Sequence, residues 1–281
     1  MNNGSSTRKI PGAFRLFQAF GINVYLHWLW FLLLAFVLFT DQGQMGVGLR
    51  LATFLSIFAI VVLHEFGHAI ACRAVGGRSD HIVIWLLGGV AFVQPPPRPG
   101  PTFISIAAGP LVNVILIPIL AGLSFGAFQV GLAKEGTAVA EFLYYVNAMN
   151  AVVLIFNMMP VYPLDGGQIL RSLLWFFIGP VRSLRAAAVI GIAVGVLGFV
   201  AILIAGLSMG TFPIIPLILM VFIAGQAFAG LRQAKVIEKH GVSILDPNVR
   251  RMSEYPDADA PPSDPYAPEA PPEETRDPWR S

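Results

Sequence analysis

The sequence predicts an all-α polytopic membrane protein, with six transmembrane helices and a short membrane-associated β-hairpin between the second and third. Three observations point there. Of 281 residues, 56% are hydrophobic and 12% charged, and the mean hydropathy is positive, which lies outside the range of soluble globular domains. The apolar residues gather in runs of about 20, the length that crosses a bilayer. Lysine and arginine fall into alternate loops between those runs, the pattern that keeps positive charge on the cytoplasmic side. The net charge of +2 forms no single basic patch, so nucleic acid is set aside as a partner. The one cysteine, Cys72, cannot form an internal disulfide and reads as a small buried apolar residue.

Residues 1–20 are polar and basic with one helical stretch, and read as a cytoplasmic N-terminal segment. Arg8, Lys9 and Arg15 precede the first apolar run as in a signal peptide, yet no small-residue cleavage site follows, so residues 23–39 form a retained first span. His27 and Trp28 stand near its start as interfacial residues, and His27 has no partner at metal-ligand spacing. The second span covers 51–75 and ends at Gly76, Gly77 and Arg78. Residues 81–93 are too short to cross: an apolar β-branched stretch, a Gly88-Gly89 turn and a second apolar stretch predict a hairpin on or dipping into the membrane. Beyond Pro95-Pro96-Pro97, the third span runs from 103 to 128 and carries Asn113, whose expected role is a hydrogen bond between helices. The fourth, 138–159, carries Asn147, Asn150 and Asn157. It breaks at Pro160 and Pro163, because two prolines three apart cannot lie in an uninterrupted helix. A short helix at 169–178 precedes the fifth and sixth spans, 186–207 and 211–231. The six-span domain is placed at 21–243, and the Pro-, Asp- and Glu-rich residues 244–281 as a disordered tail.

Chemistry concentrates in the second span, at His64-Glu65-Phe66-Gly67-His68. Residues four apart share a helix face, so His64 and His68 can offer nitrogens to one ion. Glu65 projects about 100° further round, from where it can take a proton from a metal-bound water, the metallopeptidase arrangement. A chance match is disfavoured by the setting, since ionisable groups at bilayer depth are costly unless paired or metal-bound.

The loop charges place this motif. Arg8, Lys9 and Arg15 precede the first span; Arg73, Arg78 and Arg98 follow the second; Arg171, Arg182 and Arg185 follow the fourth; Arg232, Lys235 and Lys239 follow the sixth. The other loops hold only Arg50 and Lys134. Both termini are therefore expected in the cytoplasm of a multi-pass protein of the cell membrane. His64 then lies about 13 Å of helix before Arg73, in the cytoplasmic half of the bilayer. A catalytic zinc takes three protein ligands and keeps a position open for water. Glu141 and Asp41 are on the wrong side, whereas Asp165 lies at the right depth on proline-broken backbone. Asp165 is the expected third ligand, with Asp80 and His81 as competitors.

These residues resemble the site-2 protease group of intramembrane zinc metalloproteases, peptidase family M50. The likeness covers His64-Glu65-Phe66-Gly67-His68, Asn157-Met158-Met159-Pro160-Val161-Tyr162-Pro163-Leu164-Asp165-Gly166-Gly167, Gly88-Gly89-Val90-Ala91, Ala108-Gly109-Pro110-Leu111-Val112-Asn113 and Gly21-Ile22-Asn23-Val24-Tyr25-Leu26-His27-Trp28. It implies a single zinc ion held by His64, His68 and Asp165, Glu65 as general base, and Asn157 as a polar stabiliser at the site; the bland role for Asn157 is contact between helices. The implied substrate is a transmembrane protein, single-span and first cut by another protease, cleaved within the lipid bilayer. Relatives carry CBS or PDZ domains, for which this chain shows no pattern. Two other readings stand beside this one: a polytopic metal-handling transporter, since broken helices and buried carboxylates occur there too, and a proteolytically inactive membrane chaperone of the same fold.

Overall fold

The computed structural model describes residues 11–39, 46–85 and 88–240. Strands β1 (Ala13–Ala19) and β2 (Ile22–His27) are followed by helices α1 (Leu29–Phe39) and α2 (Val47–Ala74). Strands β3 (Arg78–Trp85) and β4 (Gly88–Gln94) come next, then helices α3 (Pro99–Gln129), α4 (Ala138–Asn157), α5 (Asp165–Ser208) and α6 (Ile214–His240). Five of the described helices are long and apolar enough to cross a membrane: α2, α3, α4, α5 and α6 from Pro216 to Glu238.

The N-terminal part differs from expectation. The helical stretch before residue 20 is instead β1, and the start of the expected first span, up to His27, is β2. The two are joined by Phe20 and Gly21, both at positive φ (52° and 70°), the backbone of a tight two-residue hairpin turn. A short apolar run cannot be assigned to strand or helix by hydrophobicity alone. Here Val24, Tyr25 and Leu26 take up parallel pairing with Ile82, Val83 and Ile84. What remains of that span, α1, has 11 residues, about 16 Å of helix at 1.5 Å per residue.

The expected hairpin is present as β3 and β4, antiparallel, but as half of one four-stranded sheet in the order β1-β2-β3-β4. The chain between the parallel strands β2 and β3 is the α1–α2 crossover, as a parallel pair requires. Every second residue of β2 and β3, namely Ile22, Val24, Leu26, Ile82 and Ile84, packs with Val61, Val62, Phe66 and Ala69 of α2. The sheet thus lies against the half of α2 that carries the two histidines. Arg73 fastens the end of this helix, donating from Nε and Nη2 to the Ser79 carbonyl (2.8 and 2.5 Å), from Nη1 to Phe20 O (2.5 Å) and from Nη2 to Gly21 O (3.1 Å).

The break after α4 is as expected, with the loop 158–164 turned inward on the fully buried Val161. Asp165, however, is not on irregular backbone but is the first residue of α5. That helix runs on through the expected short helix and fifth span, interrupted by the non-helical Gly179 (φ 79°) and Pro180. Gly167 follows because the loop folds over the helix start: a Cβ there would lie 2.5 Å from the Val161 carbonyl oxygen. The tail expected from residue 244 and the N-terminal residues 1–10 lie outside the described residues.

Helices α2 and α3 meet through small residues. A Cβ on Gly67 would stand 2.6 Å from the Ala108 carbonyl oxygen and 2.9 Å from Val112 Cγ2, while one on Gly122 would meet nothing within 4 Å. Gly67→Ala is therefore expected to destabilise by about 1–3 kcal/mol, the usual cost of overpacking, and Gly122→Ala to cost nothing; thermal unfolding in detergent measures both.

Candidate metal centre

Helix α2 brings His64 and His68 one turn apart on its buried face, 3% and 5% exposed. Each ring has its Nδ1 committed to a group on α3. His64 Nδ1 lies 2.5 Å from Asn113 Oδ1, and His68 Nδ1 lies 3.0 Å from the Ser105 carbonyl oxygen. Both partners are acceptors, so both Nδ1 atoms carry the hydrogen and both Nε2 atoms present a lone pair. The close approach that permits this depends on Gly109, where a Cβ would overlap the His68 ring.

The two Nε2 atoms are 3.1 Å apart. Asp165, delivered by the N-terminus of α5, sets Oδ2 3.0 Å from His64 Nε2 and 3.3 Å from His68 Nε2. With both rings neutral, three lone pairs face one another in a buried place, an arrangement that repels itself unless a metal ion, or a proton shared with Asp165, sits between. Metal–ligand distances of about 2.0–2.1 Å in tetrahedral geometry put neighbouring ligand atoms about 3.3 Å apart. The observed triangle fits that spacing. Two imidazoles and one carboxylate are also a catalytic zinc set, leaving a fourth position for water, so these residues fit such an ion without rearrangement.

Glu65, one residue on from His64, turns instead toward the sheet and is 6% exposed. Its Oε2 accepts a hydrogen bond from the Ala91 N–H of β4 at 2.6 Å. Gly89 lies against the same carboxylate: a Cβ there would stand 2.7 Å from Oε1. The β4 strand therefore passes directly over the acid.

Of the other sequence candidates, Asp80 and His81 lie on β3 and stay away from the cluster. His81 stacks on Phe92, ring centroids 4.2 Å apart, and the group of potential metal ligands among the described residues is His64, His68 and Asp165. His27 ends β2, where its Nδ1 accepts from the Leu29 N–H at 3.3 Å. Asp41 lies outside the described residues. Asn157 is the last residue of α4, half-buried, and is not part of the hydrogen-bonded set around the histidines. Asn113 is more than contact between helices, because it holds a ligand candidate directly. Its partner Asn150 and the Ser105 carbonyl had no spacing signal of their own, since a backbone carbonyl has no side-chain identity and the two asparagines are 37 residues apart.

Gly109→Ala is expected to push the His68 ring off its position and lower the metal content of the purified protein. Gly126→Ala on the same helix, with nothing within 4 Å, is expected to leave it unchanged; elemental analysis of both decides.

Comparison with known proteins agrees with this geometry. The model of Peptidase family M50 matches residues 126–203. A Synechocystis protein provisionally named as a zinc metalloprotease is 33% identical over 208 residues, 67% of this chain and 53% of that protein. A zinc metalloprotease of Methanocaldococcus jannaschii is 32% identical over 177 residues, 63% of this chain and 50% of the relative. The chain spans about half the length of these curated relatives. Among solved structures, the site-2 protease from Methanocaldococcus jannaschii superposes with a TM-score of 0.53 at 28% identity, covering 78% of this chain and 95% of that one. With the paired signatures folded into one buried cluster, the chain is similar in sequence and fold to the site-2 protease group of peptidase family M50.

Proposed function

We propose that this chain is an intramembrane zinc metalloprotease that hydrolyses peptide bonds within or near transmembrane segments of other membrane proteins. One observation carries this reading: the lone pairs of His64, His68 and Asp165 converge, with the Glu65 carboxylate beside them, in a buried site overlain by an edge strand. The names of its relatives support zinc as the metal. Zinc held by His64, His68 and Asp165 would supply Lewis acidity, acidifying a water and polarising a carbonyl. Glu65 takes the proton of the attacking water and hands it to the leaving amine. The short bond from Ala91 N–H fixes the Glu65 carboxylate against β4 by Oε2 and leaves Oε1 free for the proton. Asn157, at the end of α4, is assigned as a polar stabiliser of the scissile group.

A helical substrate has its carbonyls occupied by its own hydrogen bonds, so the segment to be cut must first extend. Strand β4 is an edge of the sheet, and its Ala91 N–H is given to Glu65 rather than to β3. An extended substrate stretch adds along that edge by β-augmentation, which lays it over the acid. The substrate is a transmembrane protein, single-span and shortened beforehand by another protease. Loop charges support a cytoplasmic location for both termini. That requires an even number of crossings, so α1 is counted with the five long helices as the sixth, within a domain spanning residues 21–243 to which β1 is added. The tail at 244–281 is a separate segment.

In liposomes with a synthetic transmembrane substrate, Glu65→Gln is expected to cut about 10²–10⁴-fold more slowly than wild type, the range for loss of a general base, while keeping its zinc. Equal rates would sink the assignment of Glu65. His64→Ala is expected to lose the zinc itself, and retention there would contradict the ligand set. Gly89→Ala, whose Cβ would press on the Glu65 carboxylate, is expected to slow cleavage with zinc content unchanged.

A further inference from the structure

The two histidines have their tautomers set by different means. His68 is simple: its Nδ1–H points at the Ser105 carbonyl, a group that can only accept. The partner of His64 is the side chain of Asn113, and a carboxamide can present either end. Turned the other way, Asn113 would offer its NH₂ to Nδ1. The ring hydrogen would then move to Nε2, pointing at His68 Nε2 and Asp165 Oδ2, and His64 could no longer ligate.

The choice is made on α4. Asn150 Nδ2 donates to the Asn113 main-chain carbonyl at 3.0 Å, again a group that can only accept. This leaves Asn150 Oδ1 facing Asn113, which must answer with its Nδ2, at 2.9 Å. Asn113 Oδ1 is thereby turned to His64 Nδ1 at 2.5 Å. Asn113 is fully buried and Asn150 is 1% exposed, so neither amide opens to bulk solvent. The chain of donors and acceptors is determinate from the carbonyl to the metal-facing nitrogen.

We propose that Asn150, which touches none of the metal ligands, sets the His64 tautomer through Asn113, making the two asparagines positioning residues for the metal centre. This rests on the ligand reading above. A role as mere contact between helices is separable from it, because Asn147, one turn away on α4, makes such a contact. Asn147 Nδ2 donates to Ser124 Oγ on α3 at 3.0 Å and to the Leu143 carbonyl at 2.8 Å, with no path to a histidine.

The test uses the full-length protein in detergent, with zinc affinity read by chelator competition and the ligand field by the absorption of the cobalt-substituted form. Asn150→Leu frees Asn113 to turn over and is expected to weaken zinc binding about 10- to 100-fold, the range for lost partners of metal ligands, and to alter the cobalt spectrum. Asn147→Leu is expected to change neither. Asn113→Asp in the Asn150→Leu background restores a side chain that can only accept, and is expected to recover most of the affinity and the wild-type cobalt spectrum. Unchanged affinity in Asn150→Leu would overturn the relay, as would failure of Asn113→Asp to rescue it, or an equal loss in Asn147→Leu. Wild type that binds no zinc would instead overturn the ligand set, and the relay with it.

Discussion

Two imidazoles and a carboxylate that face one another this closely need a cation or a shared proton between them, and their burial keeps bulk water from relieving them. That requirement reaches outward through the fold. Each imidazole must surrender its other nitrogen to an acceptor, which demands that α3 come within hydrogen-bonding distance of α2. Close approach in turn demands Gly67 and Gly109 at the contact, where a Cβ would collide with α3 backbone or the His68 ring. The small residues of these two helices are thus a consequence of the site, and their packing serves chemistry as much as stability.

The sheet answers a different need. Glu65 points away from the metal ligands' shared face and would be an isolated buried carboxylate were it not for the Ala91 N–H. A strand can supply that donor only if its own ladder does not use it, which is a property of an edge strand. β4 holds this place because β3 is occupied on its other side by β2, and β2 is there because the chain returns from α2 to pair in parallel. Alternate apolar residues of β2 and β3 then fasten the sheet to α2. The hairpin expected from the sequence therefore works as part of a larger platform whose N-terminal strands brace it.

Asp165 comes from the far end of the fold. The proline-containing loop 158–164 stops α4, and Gly166-Gly167 let that loop lie on the first turn of α5. The carboxylate is then carried by regular helix, which holds it more firmly than irregular backbone would.

Much of the site was legible because its parts are periodic. His64, Glu65 and His68 obey helical spacing and Asp165 stands out as the acid after a proline-broken segment, so the three residues that the structure gathers into a candidate metal cluster are visible in one dimension. Hydrophobicity does not reveal that the apolar run at 23–39 begins as a strand before it turns helical, since the strand depends on its partner β3 more than fifty residues away. Asn113 and Asn150 could be seen as polar residues in apolar helices, but not which way their amides face, because that is decided by main-chain carbonyls brought into reach by packing. What the amino-acid order alone determined is which groups are candidates to bind a metal and activate a water on it. The orientation of each lone pair and the strand that covers the acid came only with the tertiary structure, since hydrogen-bond direction depends on neighbours that the chain brings together from different helices.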